Sequence, residues 1–149
     1  MSNNNINKIE FDPDSNVAVG DDPLLTGVDV FFRTNNDFKH ESTELVNEIQ
    51  EKNGANWVNK AFADGLYWQF NDESDNGPFS LFVYSPRPKK SEIPGMRYQI
   101  SIYPHSSRAH DTWKFNYNLY LTFEDGSRIQ YNENNLALDQ SKNVHQRVL

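Results

Sequence analysis

Between Trp113 and Phe123 every second residue is large and apolar. Trp113, Phe115, Tyr117, Leu119, Leu121 and Phe123 alternate with Lys114, Asn116, Asn118, Tyr120 and Thr122. A side-chain period of two over eleven residues is the pattern of a β-strand with one face in a core, and few other structures are compatible with it. Glu124-Asp125-Gly126-Ser127 follows. The Asp-Gly pair suits a type I′ hairpin turn, which needs positive φ at both central positions. A returning strand through Ile129 and Tyr131 is expected, with Leu136 and Leu138 as a last short strand.

The rest of the chain reads in the same way. Val28 to Arg33 is rich in β-branched and aromatic residues, and strand-length apolar runs recur at Leu66 to Phe70, Phe79 to Tyr84 and Met96 to Tyr103, each ended by polar or proline-containing segments. Short strands punctuated by turn residues predict a mainly β fold, an antiparallel β-sandwich with an open barrel as the alternative. One segment breaks the pattern. Leu45, Val46 and Ile49 fall at helical spacing behind Ser42 as an N-cap, with Gly54 as a stop, so one short helix is expected near residues 42–52. A strand is the competing reading, since Leu45 and Ile49 share a parity. Trp57, Val58, Ala61 and Phe62 fit either a further helical turn or a strand.

A length of 149 residues suits one core. Residues 1–25, polar and containing Pro13 and Pro23, read as a flexible or extended N-terminal segment, 26–140 as a single β-rich domain and 141–149 as a polar C-terminal tail. Cysteine is absent, which removes disulfides and thiolate chemistry. The net charge is -7; residues 1–75 hold 15 acids against 5 bases, and residues 76–149 hold 6 against 9. That balance argues against broad nucleic-acid binding, which needs a basic footprint, and permits a basic partner. Neither a classical secretory signal nor a transmembrane segment is visible, so the expectation is a cytoplasmic protein or one exported without a classical signal peptide. Nothing in the sequence sets an oligomeric state.

Candidate chemistry is sparse. His105, Arg108, His110 and Asp111, with Ser106 and Ser107, form a loop between two strands, where functional side chains are often presented. A small hydrolase using His105 and His110 is one reading; a divalent metal held by His105, His110 and Asp111 is another, although the spacing matches no usual zinc pattern. Asp12 to Pro23 opens like an EF-hand loop but has Val17 and Pro23 where glycine and glutamate are required. Asn71 to Gly77 together with Asp21, Asp22 or Asp125 offers a calcium site; no other cofactor is indicated. Arg87, Lys89, Lys90 and Arg97 form a basic concentration among prolines. Trp57, Trp68 and Trp113 are expected in the core. If Met96 to Tyr103 and Trp113 to Phe123 are neighbours, Gln99, Ser101, Tyr103, Asn116, Asn118 and Tyr120 form one polar-aromatic face able to bind a protein or glycan. The leading expectation is therefore a non-catalytic binding module, with an acidic inhibitor or immunity-type protein that blocks a basic partner as an alternative.

Overall fold

The computed structural model describes residues 22–105 and 112–149. Eight antiparallel strands form a nearly closed, barrel-like sheet: β1 (Leu25–Thr34), β2 (Thr43–Asn53), β3 (Asn56–Leu66), β4 (Ser74–Val83), β5 (Arg97–Pro104), β6 (Trp113–Phe123), β7 (Arg128–Leu138) and β8 (Val144–Val148). The order around the sheet is β7-β6-β1-β4-β3-β2-β5-β8. The sandwich character survives in its two halves. β7-β6-β1-β4 and β3-β2-β5-β8 face each other, joined at one corner by only Ala61↔Val83 and Phe62↔Phe82.

β6 follows its alternation throughout: all six odd-numbered residues are buried, and the even-numbered ones face outward. Its inner side chains pack on Leu25, Val28, Val30 and Phe32 of β1 and on Leu45, Ile49, Tyr98, Ile100 and Ile102 across the barrel. Trp113 and Phe115 stack with ring centres 3.9 Å apart, and Trp113 Nε1 donates to Thr34 Oγ1 at 2.9 Å. Trp113 is thus the buried anchor expected; Trp57 is half-buried and Trp68 is 60% exposed, so these two are not core residues. Residues 141–149, read as a tail, contain β8, which pairs with β5 from Ser101↔Val144 to Arg97↔Val148.

The helix expected near residues 42–52 is a strand. β2 hydrogen-bonds to β3 on one side and β5 on the other, with Leu45, Asn47 and Ile49 opposite Ile102, Ile100 and Tyr98 on the inner face. The even spacing failed to reveal itself because its middle residue is polar. Asn47 is fully buried, and its Oδ1 accepts a hydrogen bond from the Tyr98 hydroxyl. The β6–β7 turn also departs from expectation. Only Gly126 has positive φ, at 82°, and its N–H donates to Phe123 O, so the connection is a three-residue loop with one left-handed position. A second glycine is required elsewhere: at Gly77, φ 125°, a Cβ would lie 2.8 Å from Val30 O, beside the irregularity in the β1–β4 register.

Two polar devices hold the barrel where the backbone ladder cannot. β7 and β8 end the sheet without pairing to each other, and side chains fill the seam. Glu133 on β7 accepts the Tyr117 hydroxyl and lies 3.0 Å from His145 Nε2 and 3.8 Å from an Arg147 nitrogen, while Arg147 also donates to Asn132 O at 3.1 Å. Burial pushes the Glu133 carboxyl up, but the Tyr117 and His145 hydrogen bonds and the positive field of His145 and Arg147 outweigh it and hold the group below its ordinary value. Burial and the bond to Glu133 push the Tyr117 phenol up. At the end of the barrel where β2 begins and β3 ends, Lys39 is 1% exposed. Its Nζ donates to Thr43 O at 2.8 Å, His40 O at 3.2 Å and Leu66 O at 3.4 Å, and sits 4.8 Å from the Phe70 ring centre. Three N–H donors meet three carbonyls, and desolvation lowers the amine to about 8.

Both devices give predictions. Between pH 7.5 and 9.5 the folded chain releases the Lys39 proton while the unfolded chain keeps it, so stability rises with pH, by about 2 kcal/mol. Urea denaturation should show this rise in the wild type and its loss in Lys39→Met, which should also be less stable at pH 9.5 by about 2 kcal/mol through its unpaired carbonyls. For the seam, Glu133→Gln should cost on the order of 1–3 kcal/mol and speed hydrogen exchange of the β8 amides first. Because the folded carboxyl lies below its unfolded value of 4.5, the wild-type advantage is full above that value and disappears as pH falls through the folded one. Equal acid sensitivity of wild type and variant would contradict this assignment.

Candidate functional site

The six residues expected to share a face do not. β5 and β6 are consecutive in the described chain but are separated in the sheet order by four strands, β1, β4, β3 and β2, and their inner side chains meet across the core, as in the Tyr98–Tyr117 ring pair at 5.2 Å. Asn116, Asn118 and Tyr120 are on the outside of the β7-β6-β1-β4 half. There Asn116 Oδ1 accepts from Asn35 Nδ2 at 3.1 Å and Asn135 N at 2.8 Å, and Tyr120 meets Phe31 edge-on with Arg128 over its ring. Gln99, Ser101 and Tyr103 belong to the other half.

On that other half a polar-aromatic wall exists, built largely from residues the periodicity did not single out. The even-numbered positions of β2 and odd-numbered positions of β5 point outward in register: Gln50 opposite Arg97, Glu48 opposite Gln99, Val46 opposite Ser101 and Glu44 opposite Tyr103. A continuous chain of hydrogen bonds crosses four strands. Gln146 Nε2 donates to Gln99 Oε1 at 2.7 Å, and Gln99 Nε2 to Glu48 Oε1 at 3.0 Å. Asn59 Nδ2 donates to the other Glu48 oxygen at 3.0 Å, and Gln50 Nε2 to Asn59 Oδ1 at 3.0 Å. Arg97 Nε donates to Gln50 Oε1 at 2.7 Å, and its guanidinium lies 4.1 Å from the centre of the Trp57 ring, with Lys52 Nζ at 5.5 Å.

Each member orients the next, so planar amides, a carboxylate and a guanidinium are fixed on a rigid sheet. Around them stand exposed apolar groups: Phe82 at 67%, Tyr103 at 42% and Val148 at 71% exposure, with Phe62 opposite Phe82 and Tyr84 edge-on to Phe82 at 5.2 Å. Ser101 is the exception in its row, because its hydroxyl is buried without a hydrogen-bond partner among the described residues. The signal that could have found this wall is the run Glu48, Gln50, Lys52 at period two in β2, which the helical reading concealed.

Of the loop candidates, Arg108, His110 and Asp111 lie outside the described residues. His105 closes one end of the wall. Its Nε2 is 3.4 Å from Glu44 Oε1, its ring is 5.7 Å from that of Tyr67, and Glu44 Oε2 accepts Gly65 N–H at 3.0 Å. Burial of the hydroxyl and then the Glu44 carboxylate push the Tyr67 phenol up. Nearby, Ser42 Oγ is 2.8 Å from His40 Nδ1, but the same nitrogen accepts the Ser42 backbone N–H at 2.9 Å. That is the geometry of a local turn, and it leaves His40 Nδ1 poorly placed as a base for the hydroxyl.

The calcium candidates are dispersed. Asp22 binds Ser91 and Asp125 binds Ser127, each hydrogen bond lowering the carboxyl's pKa, while Glu73 and Asp75 pair with Arg33 at the opposite end of the barrel; Asp21 lies outside the described residues. Among the described residues no three His, Asp or Glu side chains gather in a way that could hold a metal ion, and no helix is long and apolar enough to cross a membrane. The basic concentration is likewise split. Lys90 bonds to Ser127 Oγ at 2.9 Å and Arg97 belongs to the wall, whereas Arg87 and Lys89 line a cleft. No protein-family model, curated protein or solved structure matches the chain.

Proposed function

We propose that the protein is a non-catalytic binding module whose recognition surface is the exterior of β8-β5-β2-β3, and that its partner is another protein. The observation that carries this reading is the unbroken hydrogen-bond chain from Gln146 to Arg97, whose guanidinium lies over the Trp57 ring, bordered by Phe82, Tyr84, Tyr103 and Val148. Aromatic rings and arginine are enriched at protein interfaces. Groups already held in one geometry lose little side-chain entropy on binding, so they contribute more net affinity than mobile ones. The outside of a barrel is convex, and convex surfaces suit a protein partner better than a small ligand, which needs enclosure. Charges on the wall are mixed, with Glu48 against Arg97 and Lys52, which gives an acidic blocking surface no support here.

A glycan is the second reading, favoured by the aligned amides of Gln50, Asn59 and Gln99 beside exposed ring faces. One set of variants addresses both. Once a partner has been isolated by affinity capture, or a sugar by glycan array, the double variant Phe82→Ser/Arg97→Ala should weaken its binding about 30-fold or more, the loss of one interface hot spot. Asn118→Ala/Tyr120→Ala, on the opposite half, should leave it unchanged. Retention of full affinity by a folded Phe82→Ser/Arg97→Ala protein would rule out the wall as the recognition surface.

A further inference from the structure

We infer that the end of the barrel opposite Lys39 carries a binding site for a small organic phosphate, separate from the exterior wall. A cleft of about 450 Å³ opens there between the β2–β3 hairpin and the segment following β4, a volume within the roughly 300–1,000 Å³ range of small-ligand sites. Lys60, Arg87 and Lys89 line it with three cations, Leu24 and Pro86 add apolar surface, and Glu51 and Glu92 contribute carboxylates.

The lining sets three cations against two carboxylates, with Lys89 also acting on the Asp22 carboxylate. Glu92 Oε1 is engaged by the Lys89 backbone N–H at 2.8 Å. Arg87 reaches Glu124 only at 4.0 Å, with both side chains about two-fifths exposed, a contact that contributes little in water. Among the described residues neither Lys60 nor Lys89 forms an ion pair, and Glu51 accepts no side-chain hydrogen bond. In a chain whose net charge is -7, this concave site has more cations than carboxylates in its lining.

Those donors select a ligand class. A carboxylate offers two acceptor oxygens, whereas a phosphate monoester offers three, one for each of the converging lysine and arginine side chains. Glu51 would repel a second anionic group, but its carboxylate can accept a hydrogen bond from a hydroxyl of the same molecule. A phosphorylated polyol satisfies both requirements. The frame is already ordered: Tyr84 N donates to Lys60 O at 3.0 Å, Leu25 N to Pro88 O at 2.8 Å and Lys90 N to Pro23 O at 2.9 Å, while the Asp22 carboxylate holds Ser91 N at 2.8 Å and Ser91 Oγ at 2.6 Å. Binding therefore need not organise the loop that carries Arg87 and Lys89.

Calorimetric titration and amide NMR of the full chain at low salt, with glucose 6-phosphate as probe, test this assignment. Expected are saturable binding, amide shifts centred on Ser85, Arg87 and Lys89, weaker binding of inorganic phosphate and none of glucose. Affinity should fall as salt rises, and Lys60→Met/Arg87→Gln should lower it at least about tenfold without moving the thermal midpoint. If that double variant does not fold, Arg87→Lys, which keeps the charge but loses the planar fork, should still weaken binding several-fold. No saturable binding up to the millimolar range, equal binding of glucose, or unchanged affinity in the folded variants would overturn the inference.

Discussion

A curled β-sheet has two edge strands, and unless they meet, each presents unpaired N–H and C=O groups to water and to other chains. In this protein the edges come together without hydrogen-bonding backbone to backbone, and the Glu133 carboxylate is what joins them. It gathers Tyr117 from the neighbouring strand, His145 and Arg147 from β8 across the seam, and leaves Arg147 free to bind a β7 carbonyl. Charge-assisted hydrogen bonds are about twice as strong as neutral ones, so one carboxylate with several donors can substitute for a short stretch of ladder. The two buried phenols find their acceptors in the same way. Tyr98 and Tyr117, side by side in the core, each send a hydroxyl to an inward-facing acceptor, Asn47 and Glu133 respectively.

How much of this the residues announce depends on whether the inner face of a strand is apolar. β6 is unmistakable because all six inward positions are large and apolar. β2 is misleading because Asn47 occupies the middle of its inward row while Val46 faces outward and is nevertheless buried. The resulting Leu45, Val46, Ile49 pattern imitates the face of a helix. β8 is hidden for the same reason, since its inward residues are His145 and Arg147, which serve the seam instead of the core. Polar side chains with a partner on a distant strand cannot be told from solvent-facing ones until the partner is known.

The expected recognition face failed through connectivity. Consecutive strands usually neighbour each other, so β5 and β6 were natural companions; instead the chain crosses between them from one half of the barrel to the other, while β2 and β8 flank β5. Gln99 and Tyr103 retain outward positions among polar and aromatic neighbours, supplied by β2, β3 and β8 in place of β6. Side-chain parity within a strand is a local property, fixed by the pleat. Which strands lie side by side is a property of the whole sheet, and a single sequence carries little information about it.

The wall and the seam are built on the same strands and occupy their two faces. Gln99 and Gln146 face outward from β5 and β8, while Tyr98, His145 and Arg147 point inward from the adjacent positions. β8 is five residues long and among the described residues pairs with β5 alone, so its position depends on the contacts of His145 and Arg147 with Glu133. If those contacts were lost, Gln146 would be the first member to leave the exterior hydrogen-bond chain, and Gln99 would lose the acceptor role that helps fix its amide. The order of the proposed recognition surface at its β8 end therefore rests on a carboxylate of the seam, on the opposite face of the sheet.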